Sequence, residues 1–319
     1  VSAAPRPAWL IAGPTAAGKT ALAIAAARQL DGEIINADSM QIYAGLHLIT
    51  ARPSDEEEAA VPHHLFGVAD PAQRWSVGRW SEEALAAMAE VRARGRTPIL
   101  VGGTGLYFNA LTVGLAPVPE IGEAARARAQ SLLDDGGLAA LNAEARRVDP
   151  AACAKIEAAD RQRLQRVVEV FFETGEPLSG FQAETTPLLP QGSWHGLVIE
   201  PDREALYARI DRRFDAMMAA GALDEVRTFG ERGLDADLPA MKALGVPPLF
   251  AYLAGEMTLE AAIEQAKRDS RRYAKRQLTW FRNQTPHWAR VSALEPDAAR
   301  AELAQILNSA GLAAGHGPD

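Results

Sequence analysis

The sequence predicts an α/β fold in which a parallel sheet is flanked by helices and interrupted by an all-helical insertion. Three observations carry that prediction. Short apolar runs alternate with helical stretches over residues 8 to about 115, and purely helical patterning follows to about 180. Between the first apolar run and the first helix lies a glycine-rich loop, within the stretch "AGPTAAGKTAL". Alternation of this kind is how the strands and crossover helices of a parallel sheet read.

The elements follow in order. "AWLIAG" is an apolar run of strand length, and "KTALAIAAARQL", Lys19 to Leu30, is rich in helix formers. "EIINAD" and "PILVGG" are two further strands, with a helix from Ser76 to Arg94 between them. The Gly-Pro-rich segment "VGLAPVPEIG" marks a boundary. The expected organisation is therefore a first part of the core at 1–115, a helical insertion at 116–190, and a return to the core at 191–319. Inside the insertion, helix starts are expected near Asp149-Pro150 and Asp160, and stops at Gly136-Gly137 and Gly175. "HGLVIEPD" reads as the returning strand, with helices at about 203–220, 222–232 and 258–282 and a frayed tail, "GLAAGHGPD".

Composition narrows the function classes. A chain of 319 residues with 48% hydrophobic content can bury a sizeable core. Cys153 is the only cysteine, which excludes an internal disulfide and a thiolate zinc cluster. No run of about 18 apolar residues occurs, and "VSAAPRPAWL" lacks the apolar stretch of a signal peptide, so a cytoplasmic protein without a membrane span is expected. The net charge of −8 argues against indiscriminate polyanion binding but leaves room for a local basic face. His63, His64, His195 and His287 lack metal-ligand spacing, and Trp75 and Trp80 read as packing residues.

Gly13, Pro14, Thr15, Ala16, Ala17, Gly18, Lys19 and Thr20 have the spacing of a P-loop, which makes the expected fold P-loop NTPase-like. In such a loop successive backbone N–H groups line a concavity, the lysine reaches the outer phosphates and the hydroxyl ligates Mg²⁺. Nucleotide-binding and ATP-binding proteins use it, and so do some transferases. Ligands of open parallel sheets sit beyond the carboxyl ends of the strands. Asp38-Ser39 and Gly102-Gly103-Thr104 fall at two such ends and should converge on the loop. A carboxylate there can ligate Mg²⁺ or accept a proton, although Asp38 alone also reads as a helix N-cap.

The stretch "AKRDSRRYAKRQLTWFR" carries seven basic residues against Asp269 alone. With Tyr273, Trp280 and Phe281 interleaved it suits a nucleic-acid backbone and unstacked bases, or else a solvated basic face with packed aromatics.

Taken together, "IAGPTAAGKTALA", "NADSMQIY", "PHHLFGVADP", "ILVGGTGLYFNAL", "DRQRLQRVVEVF", "LPAMKALG" and "RRYAKRQLTWFR" resemble the bacterial tRNA dimethylallyltransferases, also called tRNA isopentenyltransferases. The resemblance implies that the loop holds the diphosphate of dimethylallyl diphosphate. It also implies that the partner is the tRNA anticodon stem-loop, whose adenosine 3′ of the anticodon is flipped out and prenylated on its exocyclic amine. Asp38 would accept the proton and Lys19 would neutralise the diphosphate with Mg²⁺ at Thr20, while Thr104 would position either the diphosphate or the amine. Contacts to tRNA would come from Asp38, Ser39, Met40, Gln41, Thr104 and Arg126, and from Gln162, Arg163, Leu164, Gln165 and Arg166. Lys242, Ala243, Leu244 and Gly245 form a further block, in which Lys242 has the diphosphate as its second reading. Lys275, Arg276, Gln277, Leu278, Thr279, Trp280, Phe281 and Arg282 complete the set, with a monomer expected.

Departures from the family pattern are local. Val246-Pro247-Pro248 follows "KALG" where a tyrosine and a charged residue are usual, and should stiffen a loop there. "LHLITARP" puts His47 and Ile49 where an acid and a glycine are usual, and Ala17 replaces a serine. Two rival readings are a P-loop kinase, which would use the same Asp and Mg²⁺, and a noncatalytic RNA-binding switch.

Overall fold

The computed structural model describes residues 6–183 and 185–310, so the tail expected to fray lies outside the described residues. The chain forms two compact units, residues 1–111 with 189–319, and residues 112–188.

The first unit is built on a six-stranded parallel sheet with strand order β3-β2-β4-β1-β5-β6. Its strands are β1 (Ala8–Ala12), β2 (Gly32–Asn36), β3 (His63–His64), β4 (Thr97–Gly102), β5 (Trp194–Ile199) and β6 (Ala289–Val291). β1, β2 and β4 are buried along their whole length, as expected of strands covered on both faces, which read as continuous apolar runs. Leu10 of β1 pairs with Leu100 of β4 on one side and with Gly196 of β5 on the other, so β1 is central.

Helices cover the sheet, and their starts are legible in the caps. α1 (Lys19–Leu30) begins at Gly18, whose φ of +87° ends the glycine-rich loop. α2 (Asp55–Ala60) has a complete capping box between Ser54 and Glu57, and α3 (Val77–Ala93) is capped by Ser76. α4 (Gly105–Thr112) follows β4. In the second unit, α5 (Glu123–Val148) is broken at Gly137, where a helix stop is expected. It packs with α6 (Pro150–Cys153), α7 (Arg161–Thr174) and α8 (Leu178–Gln182) around Leu141, Ala145, Leu164, Val167 and the buried Cys153.

Back in the first unit, α9 (Arg203–Ala219) starts at Asp202, whose carboxylate takes the N–H groups of Glu204 and Ala205. α10 (Ala222–Gly230), α11 (Val246–Leu253), α12 (Leu259–Gln284) and α13 (Pro296–Ser309) complete it. The Val246-Pro247-Pro248 segment corrects one expectation. It is the first turn of α11 rather than a stiffened loop, and prolines there give up N–H groups that have no intrahelical partner anyway. Among the described residues no helix is long and apolar enough to cross a membrane.

Candidate active site

β2, β4 and β1 are neighbours in the sheet, about 4.8 Å apart. Their carboxyl ends therefore deliver Asp38, Gly103-Thr104 and the glycine-rich loop to one place. The Lys19 ammonium donates to the Pro14 carbonyl at 2.9 Å, folded back over the loop. Burial pulls its pKa down to about 8, and the positive field of Arg213 adds to that fall while the carboxylate of Asp38 opposes it. A lysine so placed favours any arriving anion.

Two residues absent from the sequence-based set belong to this cradle. Arg213 of α9 donates to the Thr15 hydroxyl, and its pKa is held down to about 10 by burial, the charge of Arg209 adding to the fall. Arg209 lies one turn earlier, with its guanidinium against Gly18 and a 2.8 Å bond to the Leu294 carbonyl. The only signal in the sequence was their i, i+4 spacing, which puts both on one face of α9.

Gln277 of α12 ties the loops together. Its side-chain oxygen accepts from the Thr15 N–H at 2.9 Å and its amide donates to the Gly103 carbonyl at 2.8 Å. The amide sits so close that a Cβ at residue 103 would collide with it, which accounts for glycine there.

Asp38 is held in a tight turn rather than at a helix N-cap. Its N–H donates to Asn36 Oδ1 at 2.8 Å, and its own Oδ1 accepts from the Met40 N–H at 2.9 Å. The second carboxylate oxygen, Oδ2, faces Gly103. Thr104 Oγ1 accepts from the Ser39 N–H at 2.9 Å and lies 3.2 Å from Ser39 Oγ, so the two loops are joined beside Asp38.

A cavity of about 310 Å³ opens at this junction. Thr15, Asp38, Ser39 and Arg213 line it, together with the cations Lys242 and Arg276. The rest of its wall includes Met40, Ile49, Phe214, Met217, Leu244 and Tyr273. Burial, reinforced by the Asp38 charge, pushes the Tyr273 hydroxyl above its ordinary pKa, so it stays a neutral donor. A wider cavity of about 700 Å³ lies at the amino ends of β1, β5 and β6 among Trp9, Trp194, His195 and Trp288. Among the described residues, no acid and no phosphate-binding loop lines that one.

Several sequence-selected residues take up inward positions. Leu164, Ala243, Leu278 and Phe281 are buried in their own cores, and Gln277 is spent on the clamp just described. Gln41 donates to the carbonyls of Thr50 and Ala51 at 3.0 and 2.7 Å. These side chains are engaged within the protein. Trp280 packs against Gly105 and edge-on to Phe281.

The basic helix is also less basic than its sequence. Lys267 pairs with Asp215 at 2.7 Å, Arg271 with Asp211 at 2.5 Å, and Arg282 with Glu200 at 2.5 Å. Lys275, Arg276 and Thr279 are exposed on α12. Lys242 is ion-paired to Asp237 at 2.9 Å, and Gly245 caps α11. In the second unit Arg126, Gln162, Arg163 and Arg166 are exposed, and Gln165 bonds Glu169 at 3.1 Å.

Thr20 lies in the first turn of α1, next to Lys19. Among the described residues no group of three His, Cys, Asp or Glu is placed to hold a metal. The Thr20 hydroxyl is a hard oxygen donor of the kind a divalent cation takes together with phosphates and water.

Comparison with known proteins identifies relatives of the chain. A family model described as IPP transferase matches residues 41–284, and another, isopentenyl transferase, matches residues 7–62. The chain is 66% identical to the tRNA dimethylallyltransferase of Maricaulis maris over 302 residues, covering 95% of this chain and 98% of that one. The crystal structure of the tRNA isopentenylpyrophosphate transferase of Bacillus halodurans is similar with a TM-score of 0.67 at 36% identity, over 96% of both chains. A eukaryotic dimethylallyltransferase, captured acting on tRNA, is similar with a TM-score of 0.75 at 28% identity, over 86% of this chain and 70% of that one.

Proposed function

The chain belongs to the bacterial tRNA dimethylallyltransferase family, and from that premise we propose how its cavity carries out prenyl transfer. The protein is a tRNA-modifying prenyltransferase. Its donor is dimethylallyl diphosphate, and its acceptor is the exocyclic amine of the adenosine 3′ of the anticodon. The observation that supports this most is the composition of one cavity wall, where Arg213 and Asp38 meet the apolar side chains of Ile49, Phe214 and Met217. That apolar surface suits the hydrocarbon end of an allylic diphosphate.

In this reading the glycine-rich loop, Lys19 and Arg213 bind the diphosphate. Their charges stabilise it most as the allylic carbon–oxygen bond breaks and negative charge gathers on the leaving group. The carbon–nitrogen bond forms on the opposite side of the allylic carbon, and Asp38 takes the proton that the amine loses as it acidifies. Thr104, joined to Ser39, orients the amine. A Mg²⁺ held by the Thr20 hydroxyl and the diphosphate would add charge neutralisation to the leaving group. The tRNA is gripped by the exposed Lys275, Arg276 and Thr279 of α12 and by Arg126, Arg163 and Arg166 of the helical unit, the insertion at 116–190 serving as a tRNA-binding part. The enzyme works as a monomer in the cytoplasm.

The test combines purified protein, Mg²⁺, unmodified tRNA and labelled dimethylallyl diphosphate, with Asp38→Asn alongside. Asparagine keeps an oxygen for the Met40 N–H but cannot take a proton, so transfer should fall by about 10²- to 10⁴-fold with unfolding temperature little changed. Label that never reaches RNA defeats the reading, and an asparagine variant as active as the parent removes Asp38 from it. Stronger thermal protection by dimethylallyl diphosphate than by ATP is the accompanying ligand test.

A further inference from the structure

We propose that Asn36 is a positioning residue for Asp38, its buried side chain fixing the backbone from which the carboxylate projects. This rests on the prenyl-transfer reading above, in which Asp38 takes the proton from the amine. Asn36 ends β2 and is fully buried, which an amide tolerates only when its hydrogen bonds are made. Its Oδ1 accepts from the Asp38 N–H at 2.8 Å, and its Nδ2 donates to the carbonyls of Asp38 and Leu65, each at 3.0 Å. One side chain thus grips residue 38 at both of its backbone polar groups, which sets the direction in which its own side chain leaves the turn.

The block "PHHLFGVADP" lines no part of the cavity, yet it supports this grip from behind. Leu65 has a φ of +64°, a left-handed conformation that a bulky residue keeps only where its surroundings demand it. In that conformation its carbonyl takes the second amide proton of Asn36. Two residues on, the Gly67 N–H donates to the Gln41 carbonyl, and the Ala69 N–H donates to the Ile42 carbonyl, both at 2.9 Å. Segment 65–69 therefore holds the stretch that carries Asp38 at three points, the first of them through Asn36.

β4 and α3 hold Asn36 from the other sides. The Ala37 N–H donates to the Val101 carbonyl at 2.8 Å, and a Cβ at residue 102 would collide with the Ala37 carbonyl oxygen. The buried Trp80 donates its indole N–H to the Asn36 carbonyl at 2.9 Å. With the backbone fixed in this way, the Met40 N–H engages Asp38 Oδ1 and leaves Oδ2 on the side of Gly103. Asn36 does not itself line the cavity, so its effect on transfer passes through Asp38.

The experiment measures single-turnover transfer from labelled dimethylallyl diphosphate to unmodified tRNA for the parent, Asn36→Ala, Asn36→Ser, Asp38→Asn and the two double variants. Misplacing the carboxylate by about 1 Å should slow Asn36→Ala by about 10²-fold. Serine keeps an oxygen that can accept the N–H two residues on but gives up both carbonyl bonds, so Asn36→Ser should lose about 3- to 10-fold. In the Asp38→Asn background each substitution should change the remaining rate by less than about twofold, because the group being aimed has gone. Affinity for dimethylallyl diphosphate without tRNA should stay within about twofold of the parent, since the glycine-rich loop follows β1 and not β2. A merely structural role would slow transfer equally in both backgrounds, and that additivity overturns the proposal, as does an Asn36→Ala or Asn36→Ser variant that transfers at the parent rate. Should circular dichroism show Asn36→Ala unfolded, Asn36→Ser and its double variant decide the matter by the same comparison. A parent that transfers no label to tRNA defeats the underlying function instead, so the two failures are distinguishable.

Discussion

Lys19 offers a quantitative test of the anion cradle. Its pKa of about 8 in the free protein lies below the ordinary lysine value because burial disfavours the charged form. A bound diphosphate reverses that preference, so the complex keeps Lys19 protonated well above pH 8. Binding then draws a proton from solvent wherever the free lysine has lost it. With a free pKa of about 8, the lysine is about nine-tenths protonated at pH 7 and about one-tenth at pH 9. Proton uptake on binding should therefore rise from about 0.1 to about 0.9, and Kd should rise about tenfold, equivalent to about 1.4 kcal/mol.

The assay is titration calorimetry of dimethylallyl diphosphate without tRNA, in two buffers of different ionisation enthalpy at each pH. Apparent enthalpies that differ between buffers at pH 9 and converge at pH 7 are the expected pattern. The matched variant is Lys19→Arg, whose guanidinium stays charged throughout, so its uptake should be near zero at both values even if its affinity is lower. Uptake that does not change between pH 7 and 9 in the parent would refute the reasoning, because it would mean that Lys19 is already charged in the empty loop.

Two further outcomes follow from interactions away from the reacting atoms. Gln277→Leu leaves the Thr15 N–H and the Gly103 carbonyl without their partner, at about 1–3 kcal/mol for each buried group. Denaturant unfolding should show that loss, together with weaker diphosphate binding because Thr15 belongs to the loop. Glu33, 2% exposed, is bonded to Arg94 and His64, and the Arg94 bond leads in lowering its pKa to about 2. A depressed carboxylate contributes stability above its unfolded pKa and loses it as pH falls toward the folded one. The parent should thus lose about 2 kcal/mol between pH 4.5 and pH 2, less than the full shift because the arginines are partly exposed, and Glu33→Gln should lose that component of its acid dependence.

Much of the fold was legible because local signals agreed with one another. The strand, loop and helix from Ala8 to Leu30 appear where the apolar run, the glycines and the helix formers put them. Gly175 ends α7 with φ of +76°, as a glycine after a helical run suggests. What escaped was short or set by tertiary pairing. β3 has two residues and exists because His63 and His64 pair with Ile34 and Ile35, a relation between segments that no periodicity encodes. α11 escaped because its two prolines read as breakers, although the same residues are compatible with a first turn.

The site divides along the same line. The convergence of Gly13 to Thr20, Asp38 and Thr104 was legible, since each sits at the end of a recognisable strand. Arg209 and Arg213 of α9, which reach the loop from a distant helix, were not, whereas Arg276 and Gln277 of α12 came with a contiguous motif of their own. α9 explains why counting charge along a sequence misled. One part of it offers Asp211 and Asp215 to Arg271 and Lys267 of α12, while another sends Arg209 and Arg213 to the glycine-rich loop. The apparent charge of the basic helix is thereby partly cancelled inside the protein, and positive charge is concentrated instead at the glycine-rich loop. Net charge is a property of segments, but the field at the loop depends on which side chains are paired, and pairing is fixed only when α9 and α12 pack together.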